Sequence, residues 1–268
     1  MKKAFTLAEG ATHVDICNNS RRAAFTLAEV LITLAIIGVV AAMTIPTLIG
    51  NYQKREYVTR LQKAHSMLDK GFRLMLAQEG VERFGDTKFA SDYIKANGDY
   101  AAIEKAMQDN FSKYFKLGEA CCKNSTDGCS MYGLGYSTLK DPGTRDAAIS
   151  GGIPYFTLAD GTTVYMMAIG NSDVGMSGEL WIDINGVAKP NTFGRDMFVY
   201  IFGDLQNRFI FNSYVLASTS SDTSSNPTDF LNSMPEAFCG TIGSSDVSMT
   251  EGLMCADRII LEGWKMNY

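Results

Sequence analysis

Ala24-Phe25-Thr26-Leu27-Ala28-Glu29 sets a single carboxylate at the head of an apolar run, Val30 to Ile49, with Arg21 and Arg22 just upstream. A carboxylate at the edge of a bilayer is costly, so Glu29 is expected to have a partner and a purpose. A second set of donors, Asp183, Asn185, Asn191 and Asp196, follows the alternation Asp-x-Asn-Gly and then supplies two more side-chain oxygens. Calcium loops use that alternation. The spacing is not that of an EF-hand, because the terminal glutamate is missing. Asn-Gly and Pro-Asn are also turn formers whose side chains cap their own backbone, and this is the preferred reading. Cys121, Cys122 and Cys129 suggest a metal cluster, but the only histidines are His13 and His65. Zinc would need a fourth ligand, so disulfides are preferred. With His65 inside a helix stripe, no Ser-His or Cys-His pair is available elsewhere, and the chain reads as a non-enzyme. Carboxylate pairs stay open as catalysts.

The tract from residue 21 to about 60 resembles type IV pilins and the pseudopilins of type II secretion systems. Those proteins carry a basic leader, a small residue, Phe-Thr-Leu-x-Glu and an apolar helix. The resemblance implies that a prepilin peptidase cuts between Ala24 and Phe25 and then methylates the Phe25 amine. The family prefers glycine before the cut; Ala24 departs from that, which bears on rate more than on site. It also implies that Glu29 pairs with the Phe25 amine of a neighbouring subunit during assembly. Gly38 and Pro46 fall where many type IV pilins carry a glycine and a proline. Many of them close a C-terminal disulfide loop, which points to Cys239 and Cys255. Some major pseudopilins hold calcium in a loop near the sheet, so the oxygen donors at 183–196 are a candidate structural calcium site. An upstream copy, Lys2-Lys3-Ala4-Phe5-Thr6-Leu7-Ala8-Glu9, is followed by polar residues that cannot span a membrane. It reads as a duplicated or over-extended leader.

The chain has 268 residues and a formal net charge of −5. An acidic soluble part argues against a nucleic-acid surface. The basic residues ahead of the apolar run place the leader in the cytoplasm and the C-terminal part outside, where disulfides persist. Cys17 falls in the leader. Beyond it stand Cys121, Cys122, Cys129, Cys239 and Cys255, an odd number, so at least one is free or pairs elsewhere.

These residues need elements to hold them. Twenty apolar residues span about 30 Å as a helix. Beyond the interface, Val58, Leu61, His65, Leu68, Phe72 and Met75 recur at steps of three and four, one face of a helix. One helix is therefore expected from Phe25 to about Gln78, stopping at Gly80. His65 reads as a packed histidine at a seam. A second helix is expected over Tyr100 to Phe115, then a Cys, Gly and Ser-rich loop. Strands are expected at 153–159, 162–169, 179–184, 197–202 and 208–216, with an Asp160-Gly161 hairpin turn and antiparallel pairing. Residues 218–225 read as an exposed loop and 254–265 as a short helix.

The expected architecture is α+β and pilin-like, a long N-terminal helix on an antiparallel sheet. The division is a leader at 1–24, a transmembrane and assembly helix at 25–50, its amphipathic continuation at 51–80 and an exported domain at 81–268. The expected role is a structural subunit of a type IV pilus-like or secretion pseudopilus filament. Its partners would be the prepilin peptidase, identical or related pilin subunits, the inner-membrane assembly platform and the lipid bilayer. It would sit single-pass in the cytoplasmic membrane before joining a periplasmic or extracellular filament. A minor tip subunit binding a surface, secreted protein or DNA is the first alternative, and an anchored extracytoplasmic enzyme the second.

Overall fold

The computed structural model describes residues 26–121, 136–139, 153–172, 175–186, 188–205, 208–213, 239 and 252–268. The chain divides into two compact units between Ile49 and Gly50. Helix α1 runs from Leu27 to Glu79 with Pro46 inside it. Its residues 30–49 are apolar on every side, and their side chains are largely exposed. From Val58 onward the helix is two-faced. Val58, Leu61, Ala64, Leu68, Phe72 and Met75 are buried, at the three-and-four spacing of one helical stripe. Gly80 ends it in the left-handed region (φ 67°). The Val81 amide then reaches back to the Leu76 carbonyl at 3.1 Å, the bond that closes a Schellman motif.

The connection after α1 holds more structure than its sequence suggests. A 3₁₀ turn at Phe84–Asp86 leads into α2, Lys88–Ala96. Thr87 caps α2 by accepting from the Ala90 amide. Helix α3, Tyr100–Phe111, is capped by Asp99 and ends short of the expected Phe115. No helix was expected at 88–96, where the apolar signal is only Phe89, Ala90, Tyr93 and Ile94 over barely two turns.

The sheet contains β1 (Leu117–Cys121), β2 (Ser137–Thr138), β3 (Tyr155–Leu158), β4 (Thr163–Ser172), β5 (Gly175–Asp183), β6 (Thr192–Phe193), β7 (Met197–Leu205) and β8 (Arg208–Ser213). Its order is β1-β3-β4-β5-β7-β6-β2, with β8 also on β7. The long pairs are antiparallel; β2–β6 and β6–β7 are short parallel contacts. Pairing is therefore mixed, not purely antiparallel. Among the described residues eight strands stand where five were expected, because β1, β2 and β6 lie in stretches that read as loop. The β3–β4 hairpin turns at Asp160-Gly161, as its sequence requires.

Both faces of this sheet carry apolar side chains. Phe156, Val164, Leu180, Ile182, Phe198, Tyr200 and Phe202 join the core that also contains the buried stripe of α1. Tyr165, Val199, Met197 and Ile153 form a second cluster with Tyr136 and Phe193, with Tyr155 and Trp181 packed on it. Successive residues on a strand point to opposite faces, so the alternation Met197-Phe198-Val199-Tyr200 feeds both layers in turn. Helix α4, Cys255–Leu261, packs in the first core through Cys255, Ala256 and Ile259.

Candidate functional site

At its N-terminal end α1 is closed by a reciprocal pair. The Glu29 carboxylate accepts from the Thr26 amide at 2.9 Å and from the Thr26 hydroxyl at 2.8 Å. The Glu29 amide in turn donates to the Thr26 hydroxyl at 3.2 Å. This is the capping box, in which two otherwise orphaned amides satisfy each other through side chains. The pattern Thr-x-x-Glu was legible in the sequence. Its consequence, that Thr26 holds the Glu29 carboxylate within its own helix, needed the geometry. Both residues are exposed. Downstream, a Cβ at Gly38 would meet nothing within 4 Å, so a close-packing partner is absent among the described residues. Pro46 is accommodated without ending the helix. Ala24, Phe25 and the upstream Phe5 to Glu9 copy lie outside the described residues.

Residues 19–45 match the prokaryotic N-terminal methylation motif. That motif is the signature of prepilin-type proteins of the type IV pilin and pseudopilin superfamily. The match spans the basic pair, the small residue, the Phe-Thr-Leu-x-Glu tract and most of the apolar run. No curated protein and no solved structure matches the chain. The prepilin-type motif coincides with the one described helix long and apolar enough to cross a membrane, an 18-residue stretch of which has a mean hydropathy of 2.3. This apolar helix near the N-terminus is compatible with a membrane anchor, and the motif points to a structural subunit rather than an enzyme.

The oxygen donors lie elsewhere, at the turn between β5 and β7. Asp183 ends β5 and is 1% exposed; Asp196 precedes β7 and is fully buried. The Asp183 carboxylate accepts from the Asn185 amide at 3.1 Å. Asp196 accepts from the Asn191 amide at 2.9 Å and the Thr192 amide at 2.5 Å. Both carboxylates therefore cap their own loop, the turn-forming role the sequence favours. Burial, and then the charge of Asp196, push the Asp183 carboxyl up to about 8. Burial also raises Asp196, against the lowering effect of its amide donors. The side-chain oxygens of Asn185 and Asn191 are buried and accept no hydrogen bond among the described residues. No group of three or more His, Cys, Asp or Glu side chains is gathered among those residues.

The cysteines divide. Cys239 and Cys255 are disulfide-bonded, with Sγ–Sγ 2.06 Å and Cα–Cα 4.8 Å. Their bond holds residue 239 at the start of α4, where Arg258 also donates to the Cys239 carbonyl at 2.6 Å. Cys121 ends β1, and Cys122 and Cys129 lie outside the described residues. His65 is packed in a ring of aromatics. Its centroid lies 5.5 Å from Tyr200, 5.5 Å from Phe211 and 5.7 Å from Trp264. Its Nδ1 is buried without a hydrogen-bond partner among the described residues. Burial, the dominant cause, holds its pKa below the ordinary histidine value.

Proposed function

We propose that the chain is a structural subunit of a type IV pilus-like or pseudopilus filament, made as a membrane-anchored precursor. The observation that carries this reading is the Glu29 carboxylate at the head of an apolar helix, within a prepilin-type methylation motif. A prepilin peptidase would cut after Ala24 and methylate Phe25. The new amine then carries a positive charge beside an apolar helix bundle, where an unpaired charge is costly. Glu29 of the adjacent subunit neutralises it and fixes the register of addition. In the free subunit Thr26 occupies the Glu29 carboxylate. Assembly would exchange or share those hydrogen bonds with the incoming amine.

The test is a strain whose only copy of this subunit is Glu29→Ala. Membrane insertion and folding are expected to persist, since removing a carboxylate lowers the cost of entering lipid. Sheared-filament yield is expected to collapse. Breaking one side of a buried ion pair costs about 3–5 kcal/mol, enough to stop a polymer from growing. Wild-type filament yield from Glu29→Ala would overturn the reading. Mass spectrometry of the mature N-terminus checks processing separately, with N-methyl-Phe25 as the expected first residue. The apolar layers on both faces of the sheet make the globular part thicker than a single helix–sheet stack. That favours the tip-subunit alternative enough to ask for subunit abundance in the same sheared fraction.

A further inference from the structure

We propose that a basic double groove, formed by the part of α1 that follows the apolar run and by the C-terminal segment, binds the headgroups of anionic phospholipids. The site presupposes the membrane anchor proposed above but not filament assembly. The larger groove, of about 570 Å³, lies between residues 51–62 of α1 and residues 264–267. The smaller, of about 230 Å³, lies between residues 50–57 of α1 and the side formed by Arg195 and Tyr268. Lys54 and Met266 line both, so the two grooves adjoin. Their charged lining residues are Lys54, Arg55, Arg195 and Lys265, all cations.

The first support is unbalanced charge. The chain carries a formal net charge of −5, yet no carboxylate side chain lines either groove. Arg55, Arg195 and Lys265 are exposed and form no ion pair among the described residues. Lys54 donates to the Tyr268 carbonyl, and the Arg195 guanidinium lies 6.0 Å from the Tyr57 ring, so both are held at the groove wall. The flanking carboxylates are matched already, Glu56 by Arg60 and Glu262 by Arg258. A concave surface lined by one sign of charge concentrates the opposite ion. The second support is position. Helix α1 continues unbroken past the apolar run, and Lys54 and Arg55 follow Ile49 by five and six residues, about 9 Å of helix. The headgroup layer reaches roughly 5–8 Å beyond the hydrocarbon on each side, so side chains of this length meet the phosphates. Trp264 lines the larger groove, and Tyr52 on α1 is 69% exposed. Trp and Tyr are the residues enriched at that interface. An acidic protein segment would satisfy the charge, but neither the aromatics nor the closeness to the apolar run would serve it.

The experiment titrates the full chain in non-ionic detergent with phosphatidylglycerol or with phosphatidylcholine of the same acyl chains. Native mass spectrometry reads the bound lipid. Phosphatidylglycerol is expected to bind roughly 10–100-fold more tightly, the preference that two or three basic residues confer. Its addition should also slow hydrogen exchange at residues 264–267, and phosphatidylcholine should not. The triple variant Arg55→Gln, Arg195→Gln, Lys265→Gln is expected to hold the preference below about threefold. Lys105→Gln, at an exposed position on α3, should keep it. If the triple variant fails to fold, the wild-type exchange comparison decides alone. Equal binding of the two lipids overturns the proposal and leaves the grooves to an acidic protein segment. A preference that survives the triple variant overturns it too, because the lipid then binds elsewhere. Protection of residues 264–267 by inorganic phosphate alone, as full as by lipid, would make this a free-phosphate site. Retention in salt-washed membranes tests the anchor separately. A chain that washes off sinks the anchor; one that stays without headgroup preference sinks only the groove.

Discussion

Gly71 shows how much one missing methyl group carries. It is buried on α1, and a Cβ built there would lie 1.9 Å from Cε1 of Phe115. The Phe115 ring cannot easily retreat. It is held at 5.3 Å from Phe72, 5.7 Å from Phe111 and 5.9 Å from Phe156. In an exposed helix interior, Gly→Ala would gain close to 1 kcal/mol of propensity. At this site overpacking costs about 1–3 kcal/mol and outweighs that gain. Gly71→Ala is expected to lower stability by about 1–2 kcal/mol in denaturant titration of the full chain. Adding Phe115→Leu should recover much of the loss. Unchanged stability in the single variant would show that the ring shifts freely. Thr26 makes a similar point at the other end of α1, where one hydroxyl decides whether the Glu29 carboxylate is held or free.

At the scale of elements, Asp204 connects three segments far apart in sequence. It sits near the end of β7 and is 4% exposed. Its carboxylate accepts from the amides of Phe84 at 2.5 Å, Gly85 at 2.7 Å and Met176 at 3.1 Å. The 3₁₀ turn is thereby fixed to the β5 and β7 edge, and Phe84 is held against Phe72 and Phe202. Asp204→Ala would leave the buried amides of Phe84 and Met176 and the half-buried amide of Gly85 without an acceptor. Hydrogen bonds to charged groups contribute about 1.5–3 kcal/mol each, so a loss of about 3 kcal/mol or more is expected. Asp204→Asn, which keeps one acceptor oxygen, should fall between. Hydrogen exchange should show protection lost first at residues 84–86. The C-terminal segment is tied in the same distributed way. Ser213 donates to Asp257 at 2.5 Å, the Tyr268 hydroxyl donates to the Gly194 carbonyl at 2.8 Å, and Lys54 donates to the Tyr268 carbonyl.

For the whole molecule the consequential titration is that of His65, because it lies where α1, β7, β8 and the segment after α4 meet. Burial favours its neutral form, with Arg73 acting in the same direction and Asp69 against it. In the unfolded chain the imidazole takes up a proton near pH 6.5. Below that pH the unfolded state binds more protons than the folded state, so stability falls as pH falls from about 6.5. The loss is at most about 1.4 kcal/mol per pH unit and ends at the depressed folded pKa. Asp69 and Arg73 lie on the same helix as His65. Other groups titrate in the acid range too, so the readout is a difference. His65→Phe should be less sensitive than wild type between pH 7 and 5 in thermal unfolding. Identical profiles for the two proteins would place the acid sensitivity elsewhere.

The sequence by itself determined whatever rests on short-range pattern. A continuous apolar run, a three-and-four stripe and a positive-φ glycine define α1, because helix geometry repeats every few residues. The prepilin-type motif and the Asp160-Gly161 hairpin are likewise local. The α+β architecture followed from joining a stripe to a series of alternating strands. Tertiary structure decided what depends on distant partners. Strands β1, β2 and β6 exist because they add to an edge or bridge already present; Thr192-Phe193 carries no strand signal of its own. Helix α2 is too short to stand alone, and its Phe89 settles against Phe111 at 4.4 Å. The near-complete burial of Asp183 and Asp196 likewise depends on distant packing; the sequence offers the same residues as turn formers and as candidate calcium donors. Burial is a property of the packed molecule, and it makes the charged form of a capping carboxylate costly, which raises both Asp183 and Asp196.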